Sequence, residues 1–263
     1  MKNFMNMLST DIYKAIKSWH FLAGVLGTVF VYLLIIKPEI NFASDVLYYY
    51  RISVEFVGVY HLMFILMCTI PYGTSFCREF NSNNIKYSVV RSSVNSYSWS
   101  KVISCAIVGG LAVAFGTLIF IFCASFFRPL VDSTRGISEG YLATTGGELL
   151  SEGKYILYFS IYICLSFFKG FLWSVVGLLV SAYIPNIFVA LSSPFILAYV
   201  YRITAAALHI KFNVEDICNG NVRNFIGGSS LLTLAVGILK IICITFLLGM
   251  AFNRKVNRRI ANE

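Results

Sequence analysis

Two lysines stand where a lysine is expensive. Lys169 sits in FFKGFLW and Lys240 in GILKIIC, each near the middle of a long apolar run. At the centre of a bilayer a lysine costs about 2.5–3.5 kcal/mol on insertion scales. Such a group lines a polar cavity, bridges to a neighbouring helix, or snorkels to an interface. Arg202, Glu55 and His61 fall in the outer halves of two further apolar runs, and Glu55 and Arg202 lie at similar depth, as an ion pair would. The functional reading is that Lys169, Lys240, Arg202, Glu55 and His61 form the polar lining of a substrate pathway between helices or protomers. The structural alternative is that they only tie helices together.

No catalytic constellation accompanies them. The chain has no G-x-x-x-x-G-K-[ST] phosphate loop, no H-E-x-x-H and no G-x-S-x-G. The histidines His20, His61 and His209 are scattered along the chain, and the seven cysteines form no C-x-x-C pair. Buried apolar thiols are therefore expected, with no disulfide framework, no metal site and no catalytic residue.

The elements that must position these groups follow from composition. Of 263 residues, 58% are hydrophobic and only 13% charged, about half the charge of a soluble domain. Several runs reach the roughly 20 apolar residues needed to cross a hydrocarbon core. Unpaired backbone groups cost several kcal/mol each in lipid, so helices are the expected spanning element. The reading is one all-α polytopic membrane domain over 1–263, with six spans at about 19–36, 54–77, 102–127, 155–182, 187–208 and 231–252. Residues 1–18 place Phe4, Leu8, Ile12, Ala15, Ile16 and Trp19 on one stripe, which predicts an amphipathic interfacial helix. No cleavable signal peptide is expected. Pro71 and Pro194 mark places where a span could kink. Small residues at helical spacing (Ala106 with Gly110, Ala112 with Gly116, Ser166 with Gly170 and Ser174) predict close helix packing.

Charge gives the orientation. With both termini inside, segments 1–18, 78–101, the turn at Pro185–Asn186 and 253–263 hold eleven Lys/Arg and three acids, and the rest of the chain ten and nine. The positive-inside rule therefore places both termini in the cytoplasm of a plasma membrane. The net charge of +9 sits at the edges of apolar spans, which points to an anionic lipid surface and away from nucleic acid. On the outer side, 37–53 ends in Tyr48-Tyr49-Tyr50, which reads as an interfacial belt. The segment 209–230 is too long for a hairpin turn, so it is either a re-entrant segment or an ordinary loop.

The polar run 78–101 is distinct. Arg78, Lys86, Arg91 and Lys101 face one acid, Glu79, while Ile85, Val89 and Val90 recur at helical spacing. An amphipathic surface helix is expected. Together with the amphipathic leader, the six spans and the long segment before span six, this loop resembles the type-2 ATP-binding-cassette (ABC) exporter permeases. Glu79 fits that family's acid at the end of span two, Asn83-Asn84-Ile85-Lys86 stands where Gly-Thr-Ile-Lys is expected, and Lys101 fits the lysine that opens span three. The family's proline and Ser-Arg are replaced by Arg91-Ser92-Ser93-Val94-Asn95-Ser96. Size and hydropathy are similar to the small permeases of bacterial peptide-immunity and bacteriocin-export systems.

The resemblance implies a cytoplasmic coupling helix docking through Glu79, Asn84, Lys86 and Arg91 onto a separate ATPase subunit, which would hold the ATP and Mg. It also implies a second permease protomer and export of an amphipathic or hydrophobic substrate. The competing readings are an ion-coupled secondary carrier built on Lys169, Lys240 and Arg202, and a non-transporting immunity or sensor protein.

Overall fold

The computed structural model describes residues 2–40, 44–55, 59–82, 84–85, 93–132, 139–210, 212–222 and 230–261, and the side chains of 55–61 lie outside the described set. Among the described residues the chain is predominantly helical, without a strand. Among the described residues five helices are long and apolar enough to cross a membrane, as in a multi-pass membrane protein.

An amphipathic helix α1 (Lys2–Ile16) leads into α2 (Trp19–Ile36), with Ser18 capping the junction by accepting from the Phe21 N–H at 3.3 Å. A single 3-10 turn, Lys37–Glu39, closes α2. The expected second span is divided. It follows α3 (Val46–Glu55) as α4 (Val59–Thr69) and α5 (Ser75–Asn81). Pro71 has no N–H to give the Met67 carbonyl, and α4 stops at Thr69; the Thr69 carbonyl accepts from Gly73 N–H at 2.9 Å in the turn that follows. The long helices α6 (Val94–Ser125) and α9 (Tyr155–Tyr183) flank two short ones, α7 (Glu139–Leu142) and α8 (Gly147–Ser151). Helix α10 (Ile187–Ala207) starts from an Asn186 cap and carries Pro194 without a break. Helices α11 (Val214–Cys218) and α12 (Ser230–Ala261) complete the chain.

Helices α6 and α9 form the axis of the bundle. Their most apolar stretches are 61% and 56% buried inside the chain, against 17% for α10 and 22% for α12, which present most of their surface outward. Small residues set the axis spacing: a Cβ on Gly170 would stand 2.6 Å from the Gly109 carbonyl, and one on Gly109 2.4 Å from Ser174 Cβ. The bundle has two ends. The basal end gathers α1, α5, the starts of α6 and α10 and the last turns of α12, and the cap end gathers α3, α7, α8 and α11.

Three expectations change here. Tyr49 and Tyr50 are buried, Tyr50 packing edge-on to Tyr162 and Phe159, so they are core residues and not an interfacial belt. The polar run 94–101 is the first two turns of α6, and the basic tail continues α12 to Ala261. Among the cysteines, Cys68, Cys77, Cys105 and Cys218 are buried thiols, while Cys123, Cys164 and Cys243 face out of the bundle.

Candidate functional site

Among the described residues, two polar clusters are buried in the bundle. The cap cluster is built on Arg51, which no sequence pattern singled out. This side chain is 1% exposed, and its guanidinium donates to Tyr162 Oη (3.2 Å), the Asn219 carbonyl (3.2 Å) and Asn221 Oδ1 (2.9 Å). Segment 212–222 thereby turns into the bundle. Its backbone groups find partners there: the Gly220 carbonyl accepts from Thr145 N–H (2.9 Å) and the Val222 carbonyl from Thr145 Oγ1 (2.9 Å). Gly220 adopts φ +70° with Tyr162 against its Cα, where a Cβ would meet Tyr162 Cε1 at 2.4 Å. Only glycine fits that corner.

Below Arg51 lies Lys169. It is 14 residues past Tyr155, about 21 Å along α9 at 1.5 Å per residue. Its Nζ donates to Asn219 Oδ1 at 3.2 Å and stands 3.6 Å from Glu215 Oε2, and both members of this pair are buried. Tyr32, Tyr50, Ser166, Lys169 and Asn219 line a cavity of about 20 Å³, room for about one water. Lys169 thus faces a small cavity of mixed polar and apolar lining, bounded by Cys218 and Asn219 of segment 212–222. Next to Glu215, burial and then the Glu215 charge push the Asp216 carboxyl above its ordinary range.

Lys240 is placed differently. Half-buried on α12, it donates to the Phe212 carbonyl at 2.7 Å and lies over the Phe212 ring, pinning the start of the inturned segment without lining the Lys169 cavity. Arg202 is half-buried on α10 and does not line that cavity either. The side chains of Glu55 and His61, and with them the expected Glu55–Arg202 pair, lie outside the described residues.

The basal cluster is built on Lys101. Its side chain is 2% exposed, yet its Nζ reaches Asp11 Oδ1 at 3.1 Å, Tyr72 Oη at 2.7 Å and Glu79 Oε1. Tyr97 donates to the other Glu79 oxygen at 2.7 Å, and Ser100 to Asp11 Oδ2 at 2.9 Å. Three elements that are distant in sequence are thus joined: α1 through Asp11, the end of α5 through Glu79, and α6 through Lys101. Glu79 and Lys101 mark the two ends of the polar run, and the fold brings them into contact. Glu79 faces this clamp. Asn84 is exposed and donates to Ser82 Oγ at 2.9 Å, while Ile85 is buried against the base. Lys86 and Arg91 lie outside the described residues.

Asp11 was legible in principle. It stands three residues after Leu8 and four before Ala15, on the face of α1 that packs inward, whereas Ile16 and Trp19 turn out. An acid on the packed stripe of an amphipathic helix is a signal for a buried partner. Among the described residues no group of three or more His, Cys, Asp or Glu could hold a metal ion. Comparisons with protein-family models, with curated proteins and with solved structures find no match, so the resemblance of the polar run rests on its residues alone.

Proposed function

We propose that this chain is the membrane-spanning subunit of an ABC exporter, moving an amphipathic or hydrophobic substrate on energy supplied by a separate cytoplasmic ATPase. One observation carries the reading: Asp11, Glu79 and Lys101 lock α1, α5 and α6 together at the base of the polar run 82–93. A soluble partner pressing on that run would push against a clamp fixed to α6. Helix α6 packs along α9, and both contribute to the Lys169 cavity through Val113, Ser166 and Lys169. A push at the base is thereby delivered as a rigid-body displacement to the polar interior and its cap. In this reading α4 and α5 complete a sixth crossing, α1 lies in the inner interface, both termini are cytoplasmic in a bacterial plasma membrane, and two protomers make the transporter. Glu79 then sets the geometry of the coupling element from within, and Asn84, Lys86 and Arg91 meet the partner.

The test is reversal of charge at Lys86 and Arg91 together. The doubly reversed chain inserts normally but no longer co-purifies with an ATPase from mild detergent. Retention of the partner at wild-type stoichiometry removes the docking role. The buried Lys169–Glu215 pair favours one rival, an ion-coupled carrier. Transport that survives ATP depletion but stops when the proton gradient collapses would establish the carrier and end the ABC reading.

A further inference from the structure

A basic pocket at the base of the bundle is unused by the function proposed above. Tyr183 at the end of α9 and Ala251, Arg254, Lys255 and Arg258 on α12 line a half-open pocket of about 320 Å³. Lys255 Nζ lies 4.7 Å over the Tyr183 ring, which fixes that ammonium at the wall. The adjacent Arg259 is committed elsewhere: it donates to the Ala182 carbonyl at 2.7 Å and stacks on Phe80, bolting α12 to α9 behind the pocket. Arg254 and Arg258 stand one turn apart, a like-charge spacing that disfavours a helix unless an anion neutralises it. None of the described residues lining the cavity is acidic. Cations in a last helical turn are favoured by the helix dipole, but that effect needs no cavity and no aromatic wall.

The surroundings decide which anion. Ile184, next in sequence to Tyr183, and Leu247, one turn before Ala251 on the pocket side of α12, are exposed apolar side chains. A free phosphate has no use for them, whereas acyl chains do. We propose that this pocket holds the phosphodiester headgroup of one anionic phospholipid, with Arg254, Lys255 and Arg258 on the phosphate and the acyl chains along the exposed faces of α10 and α12. Basic pockets between helices on one side of a membrane are suited to such headgroups.

Native mass spectrometry of the full chain in detergent, with phosphatidylglycerol or phosphatidylcholine added, tests this. The wild-type chain retains one phosphatidylglycerol preferentially, and the preference weakens as salt is raised. The variant R254Q/R258Q loses about fivefold in retention per cation removed, about 25-fold in all, while R254K/R258K keeps most of it. Equal retention of the two lipids by the wild type overturns the proposal, and this reading needs no variant to fold. Unchanged phosphatidylglycerol retention in R254Q/R258Q also overturns it. So does stabilisation by inorganic phosphate alone that matches stabilisation by lipid.

Discussion

Replacing Lys101 by methionine keeps the length of the side chain and removes the only cation of the basal clamp. The clamp holds Asp11, Glu79 and Lys101, a formal charge of −1, with side-chain exposures of 13%, 28% and 2%. In K101M the two carboxylates remain, each half-buried, with a formal charge of −2. Breaking a buried pair by removing one partner costs about 3–5 kcal/mol. Water reaches Glu79 in part, so about 2–4 kcal/mol is expected here. E79Q has the opposite arithmetic: it leaves Asp11 and Lys101 as a neutral pair and keeps an acceptor for Tyr97, for a cost of about 0–1 kcal/mol. Removing all three charges (D11N/E79Q/K101M) returns stability to within about 1 kcal/mol of wild type, because neutral replacement of a whole ion cluster is often tolerated. Equilibrium unfolding in mixed micelles, followed by Trp99 fluorescence in a W19F/W173F background, reads this order locally, since Trp99 stacks on Phe246 and lies two residues from Lys101. K101M unfolding at the wild-type midpoint, or the triple variant matching K101M, would refute the electrostatic account of the clamp.

The cap gives three further predictions. G220A forces a non-glycine residue to φ +70° and drives a Cβ into Tyr162; with the left-handed conformation alone costing about 1–2 kcal/mol, amide exchange across 212–222 accelerates while the base stays protected. K169M removes the cation beside the buried Glu215 carboxylate and destabilises by about 3–5 kcal/mol, with recovery on adding E215Q; K240M, losing one charged hydrogen bond from a half-buried site, costs about 1 kcal/mol. These two values, from the same unfolding assay, separate a cavity lysine from an anchoring one. Asp216 holds its proton more tightly folded than unfolded, so cap stability falls as pH rises through and just above the ordinary carboxylate range; amide exchange of 212–222 at acidic and neutral pH shows the slope in wild type and its loss in D216N.

Much of the bundle was readable because a bilayer leaves few choices. Runs flanked by Ser18 or Asn186 became helices starting where those caps stand, and Pro71 ended one. The missing signals are those of tertiary contact. Arg51 meets partners 111 to 170 residues away, so no local spacing announces it. Tyr48-Tyr49-Tyr50 reads as an interfacial belt by composition, yet α3 turns two of its rings into the core, where Asp45 fixes the helix start by accepting from Tyr48 N–H at 2.9 Å. In the 54–77 run Pro71 announces a kink, but hydropathy averages over Pro71 and Gly73 and does not show that their backbone demands divide the span into two helices. The pairing of Glu79 with Lys101 was visible only as two ends of one polar run, not as a contact.

The central claim is that the polar run closed by the Glu79–Lys101 contact is the seat of a separate ATPase. A photo-crosslinking residue placed at the exposed Asn84 tests it most directly, in living cells, with the captured protein identified by mass spectrometry. The account predicts capture of one nucleotide-hydrolysing subunit, abolished by charge reversal at Lys86 and Arg91. Labelling of the same position from outside the cell by a membrane-impermeant reagent would contradict it.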